Sequence, residues 1–297
     1  MPTEGFPMRM ILAGLAASFI LAGAAAAQPA SLPAAIFTDP PTDTAHPPRM
    51  EVLHIPSGGV EINGVAYLAG GAGAHPTVVL LHGLPGNEKN LDLAQAIRRA
   101  GWNCITFNYR GSWGSPGKFS FAGNLDDAKA VLAYVRAPGH AAFLGVDTRK
   151  LVMAGHSMGG WVTSLTAAQD DGLAGAILIS AADMGSLGMA PRPVIVKEMA
   201  DDMESLAGVT AQSMADEVQA IGPRTAWTPA VAKGLSAKPV LILTSDDGLA
   251  PNAEKLAAAI RTDGGKVALH HEATDHSWSG KRIALEAQVI AWLQALK

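Results

Sequence analysis

Three residues of this chain have the types and spacing to break an acyl bond: Ser157, Asp247 and His276. A serine hydroxyl attacks poorly until a base takes its proton, and that base works best when a carboxylate orients it. Ser157 stands in Gly155-His156-Ser157-Met158-Gly159, directly after the apolar run Leu151-Val152-Met153-Ala154 and before the helix-compatible stretch Trp161–Ala168. A strand ending in so tight a turn leaves room only for small residues beside the serine, and glycines 155 and 159 supply them. The turn lifts the hydroxyl out of the sheet and aims backbone N–H groups at whatever it attacks. With 32 glycines in 297 residues the short pattern alone is weak; the strand before it and the helix after it carry the reading.

The partners of such a serine come from loops at the carboxyl ends of later parallel strands. Val240–Leu243 is followed by Asp246 and Asp247, and Val267–His270 by Asp275 and His276. The order Ser157, Asp247, His276 is the nucleophile, acid, base order of a strand-to-helix elbow. His270 and His271 fall within the expected strand, one facing the core and the other the opposite face, which suits structural roles. His276 lies in the loop beyond, where a base must be, and His156 is too constrained by the turn. Asp246 and Asp247 are adjacent and point in different directions; Asp247 is the preferred acid and Asp246 the fallback. Charge developing on an attacked carbonyl oxygen needs backbone donors. Met158 N–H supplies one, and the loop His82-Gly83-Leu84-Pro85-Gly86 the other, at Leu84 because Pro85 has no N–H.

The elements that must hold these residues follow from the apolar pattern. Alternation from Met50 to Leu68, with a Ser57-Gly58-Gly59 turn and an Asn63-Gly64 hairpin signal, predicts antiparallel strands at a sheet edge. Continuous apolar strands then alternate with helices: Thr77–Leu81, Asn103–Phe107, Leu151–Ala154, Ala176–Ile179, Val240–Leu243 and Val267–His270 are the strands. Helices are expected near residues 90–100, 125–136, 158–169, 252–262 and 283–296. This rhythm predicts an α/β fold, a mostly parallel sheet covered by helices on both faces. Residues 183–236 break it with helix-like stretches at Val194–Leu206 and Ser213–Ile221. Five of the chain's eleven methionines lie in this insert, which is read both as helices docked on the body and as a lid lining an apolar pocket.

Composition bounds the rest. A formal charge of −4 gives no reason to expect nucleic acid, and the single cysteine, Cys104, excludes an intramolecular disulfide. Arg9, the apolar run Met10–Ala22 and Ala25-Ala26-Ala27 predict an export signal over residues 1–27, placing the protein in the periplasm or outside the cell. The run is short for a membrane span, so the mature form is expected to carry none. Residues 28–49, with six prolines, read as a poorly ordered linker ahead of one domain over 50–297. Oligomeric state leaves no mark on the sequence.

Taken together, residues 82–86, Asn108-Tyr109-Arg110-Gly111, Gly155-His156-Ser157-Met158-Gly159-Gly160, Asp247-x-x-x-Pro251 and His276 resemble the α/β-hydrolase superfamily over residues 50–297. Val146–Leu151 and Asp126-Asp127 are similar to its dienelactone-hydrolase-like and prolyl-oligopeptidase-like branches. The elbow sequence also resembles the esterase and serine-aminopeptidase-like branches. One departure is Thr244, where the family often has glycine three residues before the acid. The resemblance implies an eight-stranded-type sheet and cofactor-free acyl transfer to water, with a small ester or short peptide as substrate. Arg110, Trp113, Trp161 and Trp278 fall near the expected site as loop anchors or pocket walls. A metal hydrolase built on Asp246, Asp247, His270 and His271 is disfavoured for want of a ligand-spaced helix. A nucleotide-binding enzyme is disfavoured for want of a glycine-rich phosphate loop. A non-catalytic binding module would require a degenerate triad.

Overall fold

The computed structural model describes residue 1 and residues 32–296. Apart from its first residue, the expected export signal lies outside them. From Leu32 the proline-rich stretch is not a free linker. A short turn at Ala34–Ile36 packs on the body, held by the Arg99 guanidinium, which donates to the carbonyls of Ala35 (2.6 Å) and Ile36 (3.1 Å).

Eight strands form one sheet: β1 (Arg49–Ser57), β2 (Val60–Leu68), β3 (His75–Leu81), β4 (Asn103–Phe107), β5 (Val146–His156), β6 (Gly175–Ile179), β7 (Val240–Ser245) and β8 (Val267–Glu272). Their spatial order is β1-β2-β4-β3-β5-β6-β7-β8. β1 and β2 pair antiparallel, β2 pairs antiparallel with β4, and every later pairing is parallel. Central strands buried on both faces read as near-continuous apolar runs, and β6 and β7 are buried throughout, β7 ending in the buried polar pair Thr244 and Ser245.

Between the strands run α1 (Leu91–Arg99), α2 (Phe121–Arg136), α3 (Pro138–Leu144), α4 (Met158–Ala167), α5 (Met184–Leu187), α6 (Arg192–Ala200), α7 (Ala211–Thr225), α8 (Pro229–Leu235), α9 (Ala250–Thr262) and α10 (Arg282–Ala295). One apolar cluster joins α1 and α10 to one sheet face through Leu93, Ile97, Leu285 and Ile290. A larger one on the other face unites residues of α2, α4, α7 and α9 around Met153, Trp161 and Leu178. Among the described residues no helix is long and apolar enough to cross a membrane.

Three expectations are corrected. Asn63-Gly64 is no turn: β2 runs straight through it, with Gly64 opposite Leu53 and Phe107. A Cβ on Gly64 would sit 3.0 Å from the Thr106 carbonyl, so the glycine serves close strand approach. The hairpin turns at Gly58 and Gly59, both at positive φ. Second, β8 is the sheet edge, so neither His270 nor His271 faces a core; both are exposed. Third, the helix expected over Val194–Leu206 stops at Ala200. Beyond it the chain runs through turns, and Leu206 bridges Ser112 while Ala207 N–H donates to Gly111 O (2.7 Å). The insert is thereby pinned to the loop after β4.

The register aligns the carboxyl ends of the parallel strands: Leu81 lies beside Gly155, His156 beside Ile179, and Ser245 beside Glu272. The loops that leave β3, β5, β6, β7 and β8 therefore meet at one rim of the sheet.

Candidate active site

Ser157 occupies that rim at φ 56 and ψ −123, between the last residue of β5 and the first of α4. This backbone is strained for any residue with a Cβ, at a cost of order 1–3 kcal/mol. Contacts from β6 and the loop after it hold it: Ser157 N–H donates to Ile179 O (3.0 Å) and Ala182 N–H to Ser157 O (3.1 Å). The glycines are steric requirements. A Cβ on Gly159 would sit 2.6 Å from Leu81 O, and one on Gly83 would sit 2.8 Å from the Ser157 Cβ. The loop after β3 thus lies directly against the serine.

The two aspartates at the end of β7 take different histidines. Asp246 reaches His271 Nε2 at 3.1 Å with the two side chains 62% and 46% exposed. Asp247 reaches His276 Nδ1 at 2.8 Å with its own side chain only 4% exposed. Burial alone would raise the Asp247 carboxyl. Hydrogen bonds from His276, from Leu249 N–H (2.9 Å) and from the Ser245 hydroxyl (2.9 Å) outweigh it and bring the carboxyl down to about 2. The carboxylate is ionised and can only accept, so Nδ1 of His276 is the nitrogen that donates to it.

Ser157 and His276 line one cavity of ≈ 440 Å³ together with Leu84 and Met158. Met158 opens α4, where a backbone N–H has no acceptor within its helix. Met184, Leu187, Val194, Met199 and Leu249 make the larger apolar part of the remaining wall. Asp183, Glu198 and Asp202 add carboxylates. Asp183 is committed to structure, accepting from Ser186 and from Trp227 N–H (3.1 Å). Asp202 is pushed up to about 6, by burial first and then by Asp201, Glu198 and Glu204.

His156 is buried, and its Nε2–H donates to the carbonyl of His276 at 2.8 Å, tying the His276 loop to β5. Burial lowers its pKa to about 4, so it stays neutral. The four residues read as anchors or walls all lie outside the cavity lining. Arg110 bonds the buried Asp127 (2.6 Å), and the Trp113 indole N–H donates to Pro85 O (2.6 Å). The Trp161 indole N–H donates to Thr225 O (2.8 Å), and Trp278 is wholly buried. Sequence reasoning missed Ser180 and Ser245, which belong to no motif: Ser245 donates to Asp247 from two residues away, and Ser180 reaches Ser245 only through the fold.

A parallel sheet whose central strand ends in a strained serine turn beneath a cavity defines an α/β hydrolase. Residues 78–292 match the model of the alpha/beta hydrolase family, and the chain belongs to that family. An esterase of Pyrobaculum calidifontis superposes with a TM-score of 0.62 at 21% identity, covering 85% of this chain and 87% of that one. Pyrococcus horikoshii acylaminoacyl peptidase superposes at 0.60 and 15% identity, covering 84% of this chain and 41% of that one. Both are likenesses of fold, and this chain spans under half the length of the peptidase. The quorum-quenching protein AidA of Acinetobacter baumannii (strain MDR-ZJ06) is 34% identical over 110 residues, 35% of this chain and 34% of that protein. That match spans about a third of the relative.

Proposed function

We propose that the protein is a serine hydrolase that cleaves carboxylic esters of modest size through an acyl-enzyme on Ser157. The observation that carries this reading is the convergence of Ser157 and His276 on one cavity, with the His276 ring held by an ionised Asp247. Ser157 Oγ attacks the acyl carbonyl while His276 Nε2 takes its proton, and Asp247 stabilises the imidazolium that forms. The N–H groups of Met158 and Leu84 hold the oxyanion. His276 returns the proton to the leaving alcohol, and water repeats the sequence to release the carboxylic acid. The apolar wall supports an apolar acyl group. The Arg9–Ala27 pattern supports the same enzyme working outside the cytoplasm.

A second reading, a serine peptidase or amidase, is favoured by one feature. Glu198 and Asp202 on the cavity wall suit a substrate with an ammonium group.

The test is labelling by a fluorophosphonate probe, followed by turnover of p-nitrophenyl esters and aminoacyl-p-nitroanilides. Labelling abolished by Ser157→Ala, with turnover of esters alone, is the expected result. Turnover of anilides moves the assignment to the second reading. A folded protein that does not label sinks the activated serine altogether.

A further inference from the structure

Behind Asp247 lies a buried chain of hydrogen bonds that the catalytic reading does not use. The Trp278 indole N–H donates to the Ser180 hydroxyl at 3.0 Å, the Ser180 and Ser245 hydroxyls are 2.7 Å apart, and Ser245 reaches Asp247 Oδ2 at 2.9 Å. Ser180, Ser245 and Trp278 are all essentially inaccessible to solvent. The direction of every proton follows from the two ends. An indole N–H can only donate and an ionised carboxylate can only accept. Ser245 must therefore give its proton to Asp247, and Ser180 must give its own to Ser245. Each hydroxyl makes one donation and accepts one, so no buried polar group is left over.

The chain also closes on itself. Trp278 and His276 sit two residues apart on the loop after β8, while Ser180 follows β6 and Ser245 ends β7. The path from Trp278 through Ser180, Ser245 and Asp247 returns to His276 Nδ1. That matters because β8 is the sheet edge and supports its loop from one side only. Ser180 and Trp278 adopt left-handed backbone conformations, φ 41 and φ 59, which non-glycine residues keep only where their surroundings over-determine them.

We propose that Ser245, Ser180 and Trp278 are positioning residues for the hydrolysis. They form a one-way hydrogen-bond relay that locks the His276 loop and tempers the charge that Asp247 presents to the imidazole. The proposal rests on the serine-hydrolase reading. Removing a donor from Asp247 concentrates negative charge on the oxygen facing His276 and favours the protonated ring, so the acid limb of kcat/KM moves to higher pH. Because hydrogen bonds in a chain polarise one another, the effect fades with distance from the carboxylate. The charged and titratable groups that face the Asp247–His276 pair are His156 from β5, Asp202 beyond α6 and Asp275 beyond β8, and Arg282 of α10 lies behind them, against His156 and the Ser277 carbonyl. All four remain in every variant.

The experiment compares Ser245→Ala, Ser180→Ala and Trp278→Phe with the native full-length protein. It reads the pH profile of kcat/KM on a p-nitrophenyl ester and the low-field proton resonance of His276 Nδ1–H. The acid limb is expected to rise by about 0.5 to 1 pH unit in Ser245→Ala, less in Ser180→Ala and least in Trp278→Phe. The resonance should move in the same order. Kcat should fall about tenfold in the first with KM within about twofold. If Ser245→Ala does not fold, Ser245→Cys replaces it, since a thiol still donates weakly. An unmoved acid limb and resonance, or an order that does not follow the chain, would overturn the relay and leave these side chains as packing. Should Ser157 fail to label, the hydrolase reading fails by itself, while the resonance order still decides the relay.

Discussion

The sheet rim and the insert between β6 and β7 face each other across the same cavity and are built on opposite lines. On the rim, polar groups are tied several times over: Asp247 receives three hydrogen bonds, and Ser157 is fixed through both its N–H and its carbonyl. The insert contributes flexible Met184 and Met199, the half-buried Leu187, and two acids, Glu198 and Asp202, that make no ion pair among the described residues. It is nevertheless clasped to the body, by the Trp161 indole on Thr225 O and the Trp227 indole on Ser164 (2.7 Å). The contrast teaches a division of labour. On the proposed reading, the rim holds the triad residues through repeated hydrogen bonds, and the insert offers a surface that can be re-cut without touching them.

That division can be broken most severely on the rim. His276→Gln and Asp247→Asn should each cost at least about 10³-fold in kcat/KM, whereas His271→Gln and Asp246→Asn, the neighbouring exposed pair, should stay within about twofold. Equal losses in the two pairs, measured on one ester, would erase the distinction between them. Next comes Gly83→Ala, whose new methyl must displace the Ser157 Cβ; kcat should drop about 100-fold with the melting temperature little changed. On the insert, Leu187→Ala should shift the preference among ester chain lengths about tenfold while short-chain kcat stays within about threefold. A general collapse of kcat there would mean that the insert shares the reacting geometry.

The smallest effect concerns stability. Asp202 has its pKa raised in the fold from an ordinary 3.8 to about 6, so its contribution is fully present below about pH 4 and is lost as pH rises through 6. Asp202→Asn should therefore melt about 1–3 °C higher than the native protein at pH 8 and alongside it near pH 4. Asp247 has the opposite sign: its stabilisation holds above the ordinary 3.8 and disappears as pH falls towards 2.

Much of this arrangement was legible because it is local. Glycines around Ser157 announce a tight turn, and apolar strands followed by Asp247 and His276 put those residues on loops of one rim, where they lie 2.8 Å apart. Less was legible where partners are remote. Gly64 looks like a hairpin in the one-dimensional pattern, and only the approach of β4 explains it. His270 and His271 read as half-buried because nothing local says that β8 has no outer neighbour. Asp246 and Asp247 differ in role because adjacent side chains leave a strand end in different directions, one towards solvent and one towards Ser245. The Ser180–Ser245 contact joins residues 65 positions apart and has no signature at all.

The strained turn at Ser157 has a consequence for the life of the chain before it is folded. Its conformation depends on Ile179, Ala182, Leu81 and Gly83, which come from separate segments and meet only when β3, β5 and β6 are side by side. A chain still being synthesised, or one cut open by a protease, carries the same serine as an ordinary, inert hydroxyl. On the proposed reading, a reagent that labels Ser157 therefore counts assembled molecules, and damaged copies fall silent without needing an inhibitor.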